Sequence, residues 1–242
     1  MRDISHDRFV AHLDILGMSA IVEKDHDEAW QMLSALVDAR ERAENITIEF
    51  LDRAERIHVP EVVRSVTFSD TILLFTRGAS DSDLRALILT VTQIFNKALY
   101  NRVPIRAGIS LGTFYVNFEK SMYAGPALID AYRVGESAQW LGITFSESLQ
   151  GREKMLGLSS GNSSIVVDWP VPLKHGSANL SVVNWPATMA GNLKISPPFS
   201  TAQFYEIFES TFGPMSQLPA DIIVKYANTV EFINAQYSAH GL

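Results

Sequence analysis

The sequence predicts an α+β fold, an α/β sandwich with helices covering a mostly antiparallel sheet. Three observations predict it. Residues 8–14 are an apolar run that ends in Asp14 and is broken by Gly17. Two β-rich runs, 62–69 and 71–77, meet at Ser69 and Asp70 like the arms of a hairpin. Residues 81–101 carry Leu84, Leu87, Ile88, Val91, Ile94, Phe95 and Leu99 at helical spacing.

The remaining elements follow in order. The run 8–14 is apolar on both faces, which suits a central strand. Residues 27–43 read as a helix that Asp27 caps, with Ala29, Trp30, Leu33, Leu36 and Val37 on one side. The charged stretch 44–58 reads as a continuation of that helix with a turn, ended by Pro60. Asp81 or Ser82 is the expected cap of the helix over 81–101. A strand is expected over 105–111, between Pro104 and a breaking Gly112. Pro126, after Gly125, opens a helix over 126–141, and 142–146 is a short strand. From 151 the composition shifts toward Gly, Ser, Asn and Pro. Short strands are expected at 164–168 and 180–185, a break at Pro197-Pro198, and helices near 200–212 and 220–238. The division is a core over 1–150 and a β/helical extension over 151–242 packed on it, together one structural domain.

Composition bounds the function. The chain has 242 residues, 47% apolar, enough for a sizeable core. Its formal charge is 20 − 27 = −7, which argues against a general nucleic-acid or anionic-membrane binder but leaves an anionic small substrate possible. It has no cysteine, so disulfides and thiolate metal sites are excluded. No signal-peptide h-region and no membrane-length apolar run is visible, and a soluble cytoplasmic protein is the expectation.

Chemistry centres on two acids. A carboxylate at the end of a buried strand is costly unless something pairs it. If the first strand lies beside the hairpin, Asp14 and Asp70 reach one sheet edge. A divalent cation would relieve their repulsion. Backbone N–H groups of the turn from Ile15 through Leu16 and Gly17 to Met18 are then candidates to cradle phosphate. The bland alternative is that both acids are turn or cap residues. His12 shares a strand face with Asp14 and reads as a core histidine. Trp140, Trp169 and Trp185 read as core or interface residues. Arg106 reads as half of a structural ion pair or as a triphosphate contact. No Walker loop, Rossmann fingerprint, zinc spacing or nucleophile elbow is present.

Residues 13–17 (LDILG) resemble the first metal motif of the class III nucleotidyl cyclases, and residues 68–72 (FSDTI) resemble the second. Residues 105–112 (IRAGISLG), 125–133 (GPALIDAYR) and 142–146 (GITFS) are similar to the strand, catalytic helix and last core strand that follow in that family. The resemblance covers residues 8–146. It implies a ferredoxin-type core in which Asp14, Asp70 and the Ile15 carbonyl hold two divalent ions, Mn²⁺ or Mg²⁺. It also implies a transition-state arginine at Arg133, acting across a homodimer with composite sites. The asparagine expected four residues before that arginine is Ile129, with Asp130 beside it. The purine-selecting position four residues before Asp70 is Val66, and its partner falls near Met122 and Tyr123. Arg64 shares a face with Val66 and is a candidate base or phosphate contact, or a surface arginine. Tyr123 or Tyr115 is a candidate stacking wall.

A cyclase-like chain without purine readers resembles the stand-alone pyrimidine cyclases of bacterial Pycsar antiphage systems. That implies conversion of UTP, or CTP, to cUMP or cCMP as a second messenger for a separate effector in antiviral defence. Two rival readings remain: a degenerate cyclase fold used as a nucleotide sensor or dimerisation module, and a purine cyclase with displaced base readers.

Overall fold

The computed structural model describes residues 6–50, 55–160, 162–189 and 198–240. The elements run β1 (His6–Ile15), α1 (Met18–Lys24), α2 (His26–Glu44), β2 (Thr47–Phe50), β3 (Glu55–His58), α3 (Val59–Val62), β4 (Val63–Phe68) and β5 (Thr71–Thr76). There follow α4 (Asp81–Tyr100), β6 (Ile105–Asn117), β7 (Met122–Ala124), α5 (Pro126–Ser137) and β8 (Ile143–Phe145). The last part holds α6 (Arg152–Met155), β9 (Ser159–Ser160), β10 (Ser163–Ser164), β11 (Val166–Pro172), β12 (Ser177–Val183), α7 (Trp185–Thr188), α8 (Thr201–Phe212) and α9 (Ala220–His240). The main sheet has the order β11-β12-β8-β6-β1-β5-β4, with β7 paired to the far end of β6. β6 and β8 are parallel, and the other pairs are antiparallel. The expected sandwich with a mostly antiparallel sheet is therefore the fold.

Strand alternation gives the sheet two unequal faces. Phe9, Ala11, Leu13 and Ile15 of β1, Ile72 and Leu74 of β5, and Ile105, Ala107 and Ile109 of β6 point into the main core. α4 fills that core: Leu84, Leu87, Ile88, Val91, Ile94 and Phe95 are wholly buried. On the other face Val10, Leu73, Phe75 and Phe114 meet Ala127 and Ala131 of α5 in a smaller cluster. α5 lies close because its inward residues are Ala127, Ala131 and Gly135, and because β6 offers Gly108 beneath it. A Cβ on Gly108 would run into the Ala131 carbonyl and Val134.

Several local expectations are corrected. The stretch 44–58 is not helical throughout; after Glu44 it forms the β2–β3 hairpin, with Ile48 opposite Ile57. The cap of α2 is Asp25, not Asp27, and it accepts from the Asp27 and Glu28 N–H groups. The cap of α4 is Ser80, in a capping box with Asp83. Gly112 does not break β6, which runs on to Asn117 and pairs with β7 as an arm. The break at Pro197 lies outside the described residues.

The stretch after 151 adds to the same sheet and core. β12 pairs with β8 through Val182 and Thr144. Phe232 of α9 packs edge-on to Trp140 at 4.8 Å and to Trp169 at 5.1 Å. The linker between α5 and β8 has buried backbone polar groups, and α9 satisfies two of them. The Leu141 N–H donates to Thr229 Oγ1 (2.8 Å), and Asn228 Nδ2 donates to the Gln139 carbonyl (2.7 Å).

Candidate functional site

Asp14 and Asp70 meet as the first strand and the hairpin predict. β1 lies beside β5, with Asp14 opposite Thr71. Ser69 and Asp70 form the two-residue turn between β4 and β5, and Ser69 adopts a positive φ of 53° to close it. The Ile15 N–H donates to the Asp70 carbonyl at 3.2 Å, which ties the turn to the end of β1. By strand alternation His12, Asp14 and Arg106 lie on the α5 face of the sheet.

Asp14 has a partner within the chain. On its other side β1 pairs with β6, and Arg106 sits directly opposite Asp14. Arg106 donates from Nη2 (3.0 Å) and Nε (3.3 Å), both to Asp14 Oδ2. The same guanidinium donates to the Glu136 carbonyl (3.1 Å) and pairs with the Glu136 carboxylate. Its side chain is 8% exposed and that of Asp14 25%. Of the two sequence readings of Arg106, the structure shows the ion pair. Burial pushes the Asp14 carboxyl above its usual range; the charge and hydrogen bonds of Arg106 offset part of this, and Asp70 adds to the rise. Burial lowers the His12 pKa, with Asp14 opposing. The His12 ring stacks edge-on to Tyr132 of α5 at 5.3 Å.

Glu136 and Lys174 belong to this site, and neither was signalled by the sequence. The Lys174 N–H donates to the Ser137 carbonyl (2.9 Å), which brings its ammonium to Glu136 Oε1 at 2.5 Å. Burial raises the Glu136 pKa, but Lys174 and Arg106 outweigh it and leave the carboxyl below its ordinary value. Lys225 of α9 approaches the same group; burial and Arg106 lower its pKa against Asp221 and Glu136. No periodicity marks such residues, because chain packing alone brings them together.

The other expected site residues fall as follows. The N–H groups of Ile15 and Leu16 are taken, the first by Asp70 and the second by the Pro104 carbonyl at 2.9 Å. The turn therefore has only the N–H groups of Gly17 and Met18 left for phosphate; Gly17 has a φ of 78° and caps α1. Arg64 does not reach toward Asp70, because its guanidinium donates to the Pro60 carbonyl. Tyr123 packs near Phe75 and Phe118, 6.2 Å from each, and Tyr115 is exposed. Arg133 is exposed and Asp130 half-buried on α5. The arginine paired with Asp14 in its own chain is Arg106, not Arg133.

Two carboxylates at one edge suit a hard cation such as Mg²⁺ or Mn²⁺ when water and phosphate oxygens complete the shell. Arg106 holds Asp14 by Oδ2, which leaves Oδ1 open to a cation. Among the described residues no three His, Cys, Asp or Glu side chains gather into an all-protein metal site.

Comparison with known structures bears on the fold. A bacterial light-regulated adenylyl cyclase superposes on 87% of the chain with a TM-score of 0.54 at 12% identity. The fold is that of the class III nucleotidyl cyclases. The match spans 58% of that cyclase's length. The catalytic core of a rhodopsin-guanylyl cyclase with converted specificity, in complex with ATPαS, matches over 76% of this chain and 98% of its own, with a TM-score of 0.50 at 14% identity. No protein-family model matches the sequence, and no curated protein is significantly similar to it.

Proposed function

We propose that the chain is a metal-dependent nucleotide cyclase that converts a pyrimidine triphosphate, UTP in preference to CTP, to the 3′,5′-cyclic monophosphate and pyrophosphate. The observation that carries this is the meeting of Asp14 and Asp70 at one sheet edge of a cyclase fold. When bound, divalent ions would help deprotonate the ribose 3′-hydroxyl and neutralise the triphosphate. Asp14 and Asp70 would hold them, with the Ile15 carbonyl as a further oxygen. The Gly17 and Met18 N–H groups are the donors for phosphate, while Arg106 and Lys174 balance the charge of Asp14 and Glu136 beside them. Val66 stands where a purine reader is expected, which favours the smaller base.

The homodimer is part of the same reading. Arg133 is exposed, as an arginine that serves a partner's site must be. Phe68 at the hairpin end is 82% exposed, and Phe118, Met122, Ile129 and Tyr132 are also exposed. Strand and helix positions put these residues around the α5 face, and apolar area of this kind calls for a partner. The product would act as a second messenger on a separate effector in antiviral defence. The protein's setting in the reading is the cytoplasm, and no described helix is long and apolar enough to cross a membrane.

Incubation with each of the four ribonucleoside triphosphates and Mn²⁺ tests the proposal. A cyclic pyrimidine nucleotide and pyrophosphate are expected. Exclusive turnover of ATP or GTP would overturn the pyrimidine claim and leave a purine cyclase. One observation favours the sensor reading: Arg106 already neutralises Asp14, so that acid has a structural reason to be present without any metal. Nucleotide binding without pyrophosphate release would decide for the sensor.

A further inference from the structure

The last turn of α8 closes on the turn that follows Asp14. Gly17 adopts a φ of 78°, and the Phe212 ring covers it: a Cβ on Gly17 would come within 3.1 Å of Phe212 Cε1. Among the described residues, and apart from the chain neighbours of Gly17, no atom outside that ring lies within 4 Å of the same position. Lys24, the last residue of α1, donates to the Thr211 carbonyl at 3.3 Å. Arg102 donates to the Ser210 hydroxyl at 3.1 Å. Arg102 lies in the linker between α4 and β6, and two residues on the Pro104 carbonyl accepts the Leu16 N–H. Three consecutive residues of α8, Ser210, Thr211 and Phe212, therefore touch the linker that holds the turn, the helix after it and the turn itself.

The core places α8, independently of the turn. Phe204, Tyr205 and Phe208 are buried, and their rings pack around Tyr226 of α9, that of Tyr205 at 4.9 Å. The Tyr205 hydroxyl donates to the Gly213 carbonyl at 2.7 Å, which fixes the end of the helix beside Phe212. The turn is the softer partner. Glycine has the widest choice of backbone conformation, so a turn at Gly17 keeps one geometry only where packing selects it. Phe212 supplies that packing from the part of the chain after 151. We propose that Phe212 is a positioning residue: it holds the turn over residues 15–18, and through it Asp14 and the Ile15 carbonyl, in the geometry that receives a metal–nucleotide complex. The role rests on the cyclase reading; the contact does not. By linkage, a ligand that orders the turn also steadies the last turn of α8.

Hydrogen–deuterium exchange of the full chain tests this, with Mn²⁺ and α,β-methylene UTP, which cannot release pyrophosphate, as the ligand. In the wild type the ligand is expected to slow exchange in residues 14–18 and in residues 209–213 together. In ligand-free Phe212→Ala, exchange over 14–18 is expected to rise at least ~tenfold while α4 is unchanged, and Phe212→Leu is expected to restore it. In turnover assays Phe212→Ala is expected to raise KM for Mn²⁺–UTP at least ~tenfold with a smaller change in kcat, and Phe212→Leu to stay near wild type. Protection of 14–18 alone in the wild type, unchanged exchange over 14–18 in Phe212→Ala, or a fall in kcat with KM unchanged would overturn the inference. The wild-type measurement holds whether or not Phe212→Ala folds. A ligand that protects neither segment would overturn the cyclase reading and the role with it, and ligand-free exchange in Phe212→Ala tells that failure from failure of the contact.

Discussion

Replacing Arg106 by Gln tests whether Asp14 depends on its partner within the chain. The substitution removes two hydrogen bonds to Asp14 Oδ2 and the contacts to the Glu136 carbonyl and carboxylate. Breaking one side of a buried pair costs about 3–5 kcal/mol. The Asp14 and Glu136 side chains keep 25% and 30% exposure, so water recovers part of this. The net loss is expected near the lower bound, about 3 kcal/mol, which for a chain of this size is a fall in Tm of roughly 6–12 °C. The deficit also has a pH signature. Burial holds the folded Asp14 pKa above the unfolded one, so its penalty is absent at low pH and appears as pH rises through the folded value. Arg106 offsets that penalty, so its removal enlarges the loss at neutral pH. The Glu136 pKa is lowered on balance, so its stabilisation is present at neutral pH and lost as pH falls. Both effects make the gap between wild type and Arg106→Gln narrow on acidification. Urea unfolding at pH 7 and in steps down through the carboxylate range measures this. A deficit below ~0.5 kcal/mol at pH 7, or one that widens in acid, would refute the argument.

Asp70→Ala is expected to abolish turnover with unchanged circular dichroism, because the Ile15 N–H bonds the residue 70 carbonyl and not its carboxylate. Gly108→Val is expected to cost at least ~3 kcal/mol in chemical unfolding, since its branched side chain would force α5 off the sheet. Thr229→Val leaves the Leu141 N–H without its acceptor, and a loss of about 1–3 kcal/mol is expected in the same assay. If the proposed homodimer forms, Phe68→Glu is expected to shift it to monomer in light scattering with circular dichroism unchanged, because the side chain is 82% exposed in the single chain.

Much of the fold is legible in the sequence, because burial imposes a period on it. The stripe of α4, the apolar run of β1 and the two arms around Ser69 and Asp70 each announce their element. The β2–β3 hairpin was hidden because four-residue strands rich in Glu, Arg and Thr show too few apolar positions to set a period of two. The caps Asp25 and Ser80 were missed by one or two residues, since several neighbouring acids and serines can each accept from a first-turn N–H.

The sequence alone determined that Asp14 lies near the end of a buried strand, which runs one residue further to Ile15, and that Asp70 sits in a tight turn, because local pattern dictates both. It also set the order of motifs that resembles the cyclases. Only the tertiary structure decided what neutralises Asp14. Its partner Arg106 lies 92 residues away, and the β1–β6 register puts the two side by side. Glu136, Lys174 and Lys225 reach that pair from separate parts of the chain. Local period is a property of neighbours in sequence. Charge compensation depends on distance in space, which the register of the whole sheet sets.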